Sequence, residues 1–369
     1  MTRPRSSAST EPVQAKIEAV ACSTASSSAG GATDDDHPGG ARGQVTTEEA
    51  PPSEGGVAPT LERLVDAVMP DSRRLSGAEL ASESGVDLEL ARRLRRAMGL
   101  PDVPIGEDAY LDADLDALRR VRHLVETGGL DNADLLHMAR TLGLAAARMA
   151  DAVVGFWSDR LAETGDEMLD RERIDELEKV VGYLFRRHLL DSATRQAAWM
   201  NHSAEGPVVA VGFADLVGFT SLSEQLSDRE TAELIERFEV LATDQVVGGG
   251  GRVIKMIGDE VMFSAEVDQV GEIALSLAET FDSPDLPSVR VGVASGSVVS
   301  QGGDLFGPVV NLAARATIAA RPGSVLISPS LAEVLRGDPR FSVHAIRVHR
   351  LKGIGFVRLA VLRRAERSR

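Results

Sequence analysis

The chain reads as an α+β protein: a ferredoxin-like βαββαβ domain over residues 206–369, preceded by an all-α domain over residues 58–165 and connecting helices over residues 166–205. Three observations predict this. From Leu61 to about Leu161 apolar residues recur at spacings of three and four, and strand-like runs are nearly absent. After Glu205 the texture changes to apolar β-type runs alternating with helical segments, in the order β-α-β-β-α-β. Gly and Pro fall in the gaps between these segments, and no stretch repeats at a fixed period.

The elements follow in order. Residues 1–57 are rich in Ser, Thr, Ala, Gly, Pro and acids and hold no Phe, Tyr or Trp. Such a stretch buries too little apolar area to offset its ordering entropy, so it is expected to be disordered. Cys22 lies there and is assigned no role. "LERLVDAVM", "DLELARRLRRAMGL", "DLDALRRVRHLVETG" and "NADLLHMARTLGLAAARMADAVVGFW" read as short amphipathic helices. "DEMLDRERIDELEKVVGYLFRRHLL" is more charged and reads as a connecting helix. "PVVAVGFADL" is a β run, and the helix after it opens with Ser227 and Glu230 at capping-box spacing. "GRVIKMI" and "EVMFSAE" are separated only by Gly258 and Asp259, which predicts a tight hairpin. "VGEIALSLAETF" is helical, "SVRVGVASGSVVSQG" is β, "FGPVVNLAARATIAA" is helical and "SVLISP" is a strand. A short helix, "LAEVL", and terminal strands close the chain.

Bulk composition narrows the function. With 369 residues, 43% hydrophobic, the chain has room for two domains, and its net charge of −16 advertises neither nucleic acid nor membrane. A single cysteine excludes an intrachain disulfide framework and a cysteine zinc cluster. No apolar run approaches the roughly 18 residues a spanning helix needs. A reduced, cytoplasmic setting is expected.

Two acids stand where burial is expensive. Asp215 closes the first strand of the βαββ unit, and Asp259 sits in the hairpin two elements later. Each alone reads as a turn residue beside Gly. In a βαββ unit, however, the first strand pairs beside the hairpin, and two adjacent carboxylates repel unless a cation joins them. Hard oxygen ligands favour Mg²⁺ or Mn²⁺. Directly after Asp215 come Val217, Gly218, Phe219 and Thr220, leading into a helix. Backbone N–H groups at such a start cradle anions, which suits a polyphosphate.

The segments "FADLVGFTSLS", "KMIGDEVMFS", "RVGVASG" and "DLFGPVVNLAARA", in this order, resemble the four signature segments of class III nucleotidyl cyclases, over about Pro207 to Arg363. The helical half more loosely resembles the regulatory domain of the autoinhibited, pH-responsive adenylyl cyclases of actinobacteria. The resemblance implies an antiparallel homodimer with each site across the interface and two cations, Mg²⁺ or Mn²⁺, held by Asp215 and Asp259. It further implies that Lys255 and Asp304 read the purine. Asn311 would orient the ribose and Arg315 stabilise the transition state, while Lys352 would bind the polyphosphate. Ser297 departs from the pattern, since some members carry a phosphate-binding Arg there.

Elementary chemistry agrees with that assignment. Adenine offers an N6 donor and an N1 acceptor, complementary to an acid and a base, whereas guanine reverses both. ATP is therefore the expected substrate, with attack of the ribose 3′-oxygen on the α-phosphorus and loss of pyrophosphate. Asn311 and Arg315 are four apart on one helix and share a face. The alternatives are a guanylyl cyclase, disfavoured by Lys255 and Asp304, and a catalytically silent cyclase-like regulator, disfavoured by the complete residue set.

The helical half has a helix–Gly turn–helix shape reminiscent of winged DNA readers. Residues 61–205 are about nine charges net acidic, which argues against a nucleic-acid footprint. The resemblance implies that the domain regulates the cyclase and responds to pH; His123, His137 and His188 are the candidate proton-sensing residues, because imidazole titrates near physiological pH.

Overall fold

The computed structural model describes residues 67–68, 73–103, 108–164, 170–200 and 208–365. The expected disordered tail and Cys22 lie outside them. The chain divides into two compact units, with the division between Ala193 and Thr194.

The first unit begins with β1 (Arg74–Leu75), α1 (Gly77–Ser84) and α2 (Leu88–Ala97). Then come β2 (Tyr110–Leu111), α3 (Asp112–Gly128) and α4 (Asn132–Thr164). The connecting helix, α5, runs Arg171–Met200 across the division. Ser76 caps α1 in a reciprocal pair with Glu79, Gly85 ends it at φ 69°, and Asp87 caps α2. A core of Leu75, Leu80, Leu94, Leu115, Leu118 and Leu135 joins these helices. The pattern differs from expectation in two ways. β1 and β2 pair as an antiparallel ribbon inside the all-α half, each two residues long and so too short for a period to show. The last run of the helical half is also one 33-residue helix rather than a short one. An apolar cavity of about 200 Å³ lies beside Leu94, Leu118 and Met138, and the Tyr110 hydroxyl is buried without a hydrogen-bond partner.

The second unit is built on β3 (Val208–Leu216), β4 (Arg252–Ile257), β5 (Glu260–Ala265) and β6 (Val289–Ser297). These lie side by side in the order β6-β3-β5-β4, all antiparallel, the ferredoxin-like arrangement the sequence predicts. β9 (Val325–Ile327), β13 (Ala360–Arg364) and β10 (Phe341–Ala345) extend the sheet to seven strands beyond β6. Two ribbons stand apart from it, β7 (Val299–Gln301) with β8 (Asp304–Phe306) and β11 (His349–Leu351) with β12 (Gly355–Val357). The helices are α6 (Phe219–Ser223), α7 (Asp228–Gly248), α8 (Val270–Thr280), α9 (Pro308–Ala319) and α10 (Pro329–Leu335).

Strand alternation sorts the two faces of this sheet. Ala210, Ala214, Val261, Phe263, Val291 and Val293 pack in the core that holds Phe238 of α7 and Leu277 of α8. Val211, Phe213, Met262 and Ala294 point the other way and pack with Val309 and Ala313 of α9. α9 sits directly on the strands: a Cβ on Gly292 would lie 2.1 Å from the Thr317 nitrogen and 2.5 Å from the Ala313 oxygen. The buried Thr317 hydroxyl lies 3.0 Å from the Ala313 carbonyl oxygen and 3.3 Å from that of Phe213. Gly292→Ala is therefore expected to overpack this seam and cost about 1–3 kcal/mol, read as a lowered midpoint in denaturant unfolding. An unchanged midpoint would show that the helix can lift without penalty.

Candidate active site

The α9 face of the sheet carries two of the predicted polar residues, Asp215 and Lys255. On β3, Asp215 follows Val211 and Phe213 on that face, at the strand's end. Its cross-strand partners are Glu260 on β5 and Arg290 on β6, so one rung holds acid, acid and guanidinium. The Leu216 N–H donates to the Asp259 carbonyl oxygen at 3.0 Å, which fastens the hairpin turn to the end of β3. Asp215 and Asp259 are thus neighbours at one sheet end, through the strand pairing that the βαββ order implied.

The electrostatics of this corner are crowded. Burial raises the Asp259 carboxyl above its ordinary range, and the charge of Asp215 adds to the effect. Glu260 is pushed up to about 7, first by burial and then by the charges of Asp215 and Asp259. Arg290 opposes both shifts, and Lys255 opposes the second. The Nε of Arg290 donates to Oδ2 of Asp215 at 2.5 Å, and the Asp215 side chain is only 16% exposed.

Lys255 reaches this face through an irregularity. The β4–β5 register shifts between Val253 and Lys255, so that Val253 pairs with Phe263 while Lys255 pairs with Met262 on the α9 side. Its Nζ donates to Oδ2 of Asp304, from β8, at 2.5 Å, which joins the two predicted purine readers into one donor–acceptor pair. Asn311 and Arg315 lie on α9, the first exposed and the second half-buried. Lys352 is exposed in the turn between β11 and β12. Among the described residues, none of these last three side chains has a hydrogen-bonding or ionic partner, and nothing links them to the carboxylates. The Val217 N–H is already committed to the Ser288 carbonyl oxygen at 2.8 Å. The open part of the loop is therefore Gly218, at φ 76°, with Phe219 and Thr220 at the start of α6.

The donor chemistry fits a divalent cation. Asp215 and Asp259 are hard oxygen donors, and their mutual charge and burial are what a cation would relieve. No group of three or more His, Cys, Asp or Glu forms a metal cage among the described residues. Mg²⁺ ordinarily takes only one or two carboxylates, with phosphate and water supplying the rest. Glu260 and Arg290 were not singled out from the sequence. Each sits at a strand terminus, where an isolated charge looks like a solvated end, and only the register reveals that they flank Asp215.

A strand-end carboxylate pair and a lysine–aspartate pair on a ferredoxin-like sheet are the arrangement expected of a nucleotidyl cyclase type of catalytic domain. Residues 202–362 match the adenylate and guanylate cyclase catalytic domain family, and residues 56–175 match the adenylate cyclase regulatory domain family. The chain is 38% identical to an adenylate cyclase of Streptomyces coelicolor over 79% of this chain and 80% of the relative. It is 36% identical to an adenylate cyclase of Glutamicibacter nicotianae, over 81% and 82%. With the pH-sensitive adenylate cyclase MT1302 of Mycobacterium tuberculosis it shares 33% identity, over 80% and 79%. The chain belongs to the class III adenylyl cyclases that carry an N-terminal regulatory domain. Class III cyclase domains typically use divalent metals. No helix among the described residues is long and apolar enough to cross a membrane.

Proposed function

We propose that this chain converts ATP to 3′,5′-cyclic AMP at a site completed by a second copy of itself, under control of its helical half. The observation that carries the proposal is the joint presence, on one sheet face, of the Asp215–Asp259 corner and the Lys255–Asp304 pair. Lys255 donates to adenine N1 and Asp304 accepts from the N6 amino group. In the free chain the two satisfy each other, so neither is left unpaired before the base arrives. Arg315 meets the charge that grows on the α-phosphoryl as the ribose 3′-oxygen attacks and pyrophosphate departs. Asn311, one turn earlier on α9, orients the ribose. Lys352 and the N–H groups of Gly218, Phe219 and Thr220 hold the polyphosphate, while Val217 contributes through the shape of the loop. Asp215 and Asp259 would hold two cations, Mg²⁺ or Mn²⁺, whose chemistry is to acidify the 3′-hydroxyl and neutralise the β- and γ-oxygens.

Two features support the homodimer. Among the described residues Asn311, Arg315 and Lys352 have no partner, as expected of groups that complete a site with a second copy. The ribbons also expose large apolar side chains, Phe306 at 48% and Phe356 at 78%, of the kind that associating surfaces cover. The experiment is cyclic nucleotide production by the purified full chain with ATP and GTP in parallel. Cyclic AMP from ATP alone supports the reading, and equal turnover of GTP removes it.

Regulation by pH is part of the proposal, and the catalytic corner sharpens its test. The raised carboxyls of Asp259 and Glu260 mean that acid protonates the corner and weakens its hold on cations. A fragment starting near Glu205 is therefore expected to lose activity, not gain it, as pH falls. Activation of the full chain by acid must then come from the helical half. His123, His137 and His188 are exposed on α3, α4 and α5. The check is activity from pH 5.5 to 8 in both proteins, and matching profiles would exclude proton sensing by the helical half.

A further inference from the structure

We infer that Arg290 is the built-in counter-cation of the carboxylate corner, holding one oxygen of Asp215 so that divalent cations are retained strongly only together with the nucleotide. The inference rests on the reading of Asp215 and Asp259 as the cation-holding pair.

Its basis is the rung itself. Arg290 and Asp215 face each other across β6, the central strand of the seven-stranded sheet, and β3 beside it. The contact is one-pronged: Nε meets Oδ2, and among the described residues Oδ1 of Asp215 has no hydrogen-bond partner. One oxygen is therefore occupied and the other is available, which favours single-oxygen ligation by this carboxylate. The Arg290 side chain is about one-third exposed at 34%, so its charge is only partly screened at this distance. A guanidinium also cannot be deprotonated to make way for a metal. Arg290 is thus a fixed positive charge directly beside the position a dication would take.

The charges around it explain why a counter-cation is useful. Asp215, Asp259 and Glu260 gather three acids, while Lys255 is committed to Asp304. Without Arg290, that cluster would attract any divalent cation whether or not a nucleotide was present. With it, the empty corner is closer to neutral. The polyphosphate then brings the negative charge that makes cation binding strong. In this role Arg290 is a positioning residue, acting through Asp215 and touching no reacting atom. Even at the dielectric of water, a unit charge on the order of 5 Å from a dication weighs about tenfold in affinity.

The experiment measures Mn²⁺ binding to the nucleotide-free full chain by the paramagnetic resonance signal of free Mn²⁺. The chains compared are wild type, Arg290→Gln, Arg290→Lys and Asp259→Asn, each checked for folding by circular dichroism. Arg290→Gln is expected to bind Mn²⁺ about tenfold more tightly than wild type, with Arg290→Lys close to wild type. A non-hydrolysable ATP analogue should narrow the difference between Gln variant and wild type. Equal or weaker binding by Arg290→Gln overturns the inference. If that variant does not fold, Arg290→Met removes the same charge and carries the same test. Asp259→Asn separates the two readings. If it leaves Mn²⁺ binding unchanged, the carboxylate pair is not the cation site. If it weakens binding while the neutral Arg290 variants do not tighten it, only the counter-cation role fails.

Discussion

Asp259→Ala is expected to abolish cyclic AMP formation while leaving the fold intact. Asp259 lies in the two-residue turn between β4 and β5, and its anchoring contact is made by its backbone carbonyl, which alanine keeps. The side chain carries a raised carboxyl, so the burial and repulsion that its removal relieves outweigh the backbone hydrogen bond and the Arg290 attraction that it loses. Stability should hold or rise slightly. If Asp259 helps hold the cations, its loss removes several kcal/mol of transition-state stabilisation, roughly a thousandfold or more in kcat. The measurement is product formation alongside thermal unfolding. An active variant, or an inactive one that has also lost its unfolding transition, would defeat the assignment.

The same corner gives stability a pH dependence of definite sign. The carboxyl of Glu260 is raised in the folded chain from an ordinary 4.5 to about 7, so the native state binds the proton more tightly than the unfolded state does. Stability is therefore lost as pH rises from about 4.5 to about 7, and the full cost is present above that window. Cations bound at Asp215 and Asp259 would lower this pKa and flatten the slope.

What was legible in the sequence was whatever is written in local period or in turn chemistry. The hairpin over Gly258 and Asp259 and the cap at Ser227 both follow from neighbours along the chain. Once the βαββ order is recognised, so does the adjacency of Asp215 and Asp259. Register was not legible. Arg290 becomes significant only when β6 pairs with β3 at a particular offset, and a shift by one residue would turn it to the opposite face. The irregularity between Val253 and Lys255 is hidden for the same reason, because "RVIKMI" gives no sign of where alternation breaks. β1 and β2 escaped because two residues have no period. Gly292 looks like a weak point in a strand, and its role follows only from the closeness of α9.

Asp304→Asn is expected to collapse discrimination between ATP and GTP with little change in stability. The Lys255–Asp304 pair is part-exposed, with side chains 37% and 27% accessible, so its loss costs at most about 1 kcal/mol. Its effect on specificity is larger. A carboxylate can only accept hydrogen bonds, so it favours the adenine N6 amino group and repels guanine O6. An asparagine amide both donates and accepts, and can turn to suit either base. Sites that hydrogen-bond one partner reject a mismatched one by about 10⁴–10⁵, because the wrong group leaves buried atoms unpaired. Removing half of that recognition should reduce the ratio of kcat/KM for ATP over GTP by at least about a hundredfold. Most of the change should appear as slower ATP turnover with some gain on GTP. Lys255 would still oppose the guanine N1–H, so the variant should remain a poor guanylyl cyclase. A ratio equal to that of wild type would mean that the base is read elsewhere, and that the Lys255–Asp304 contact is an ordinary surface ion pair.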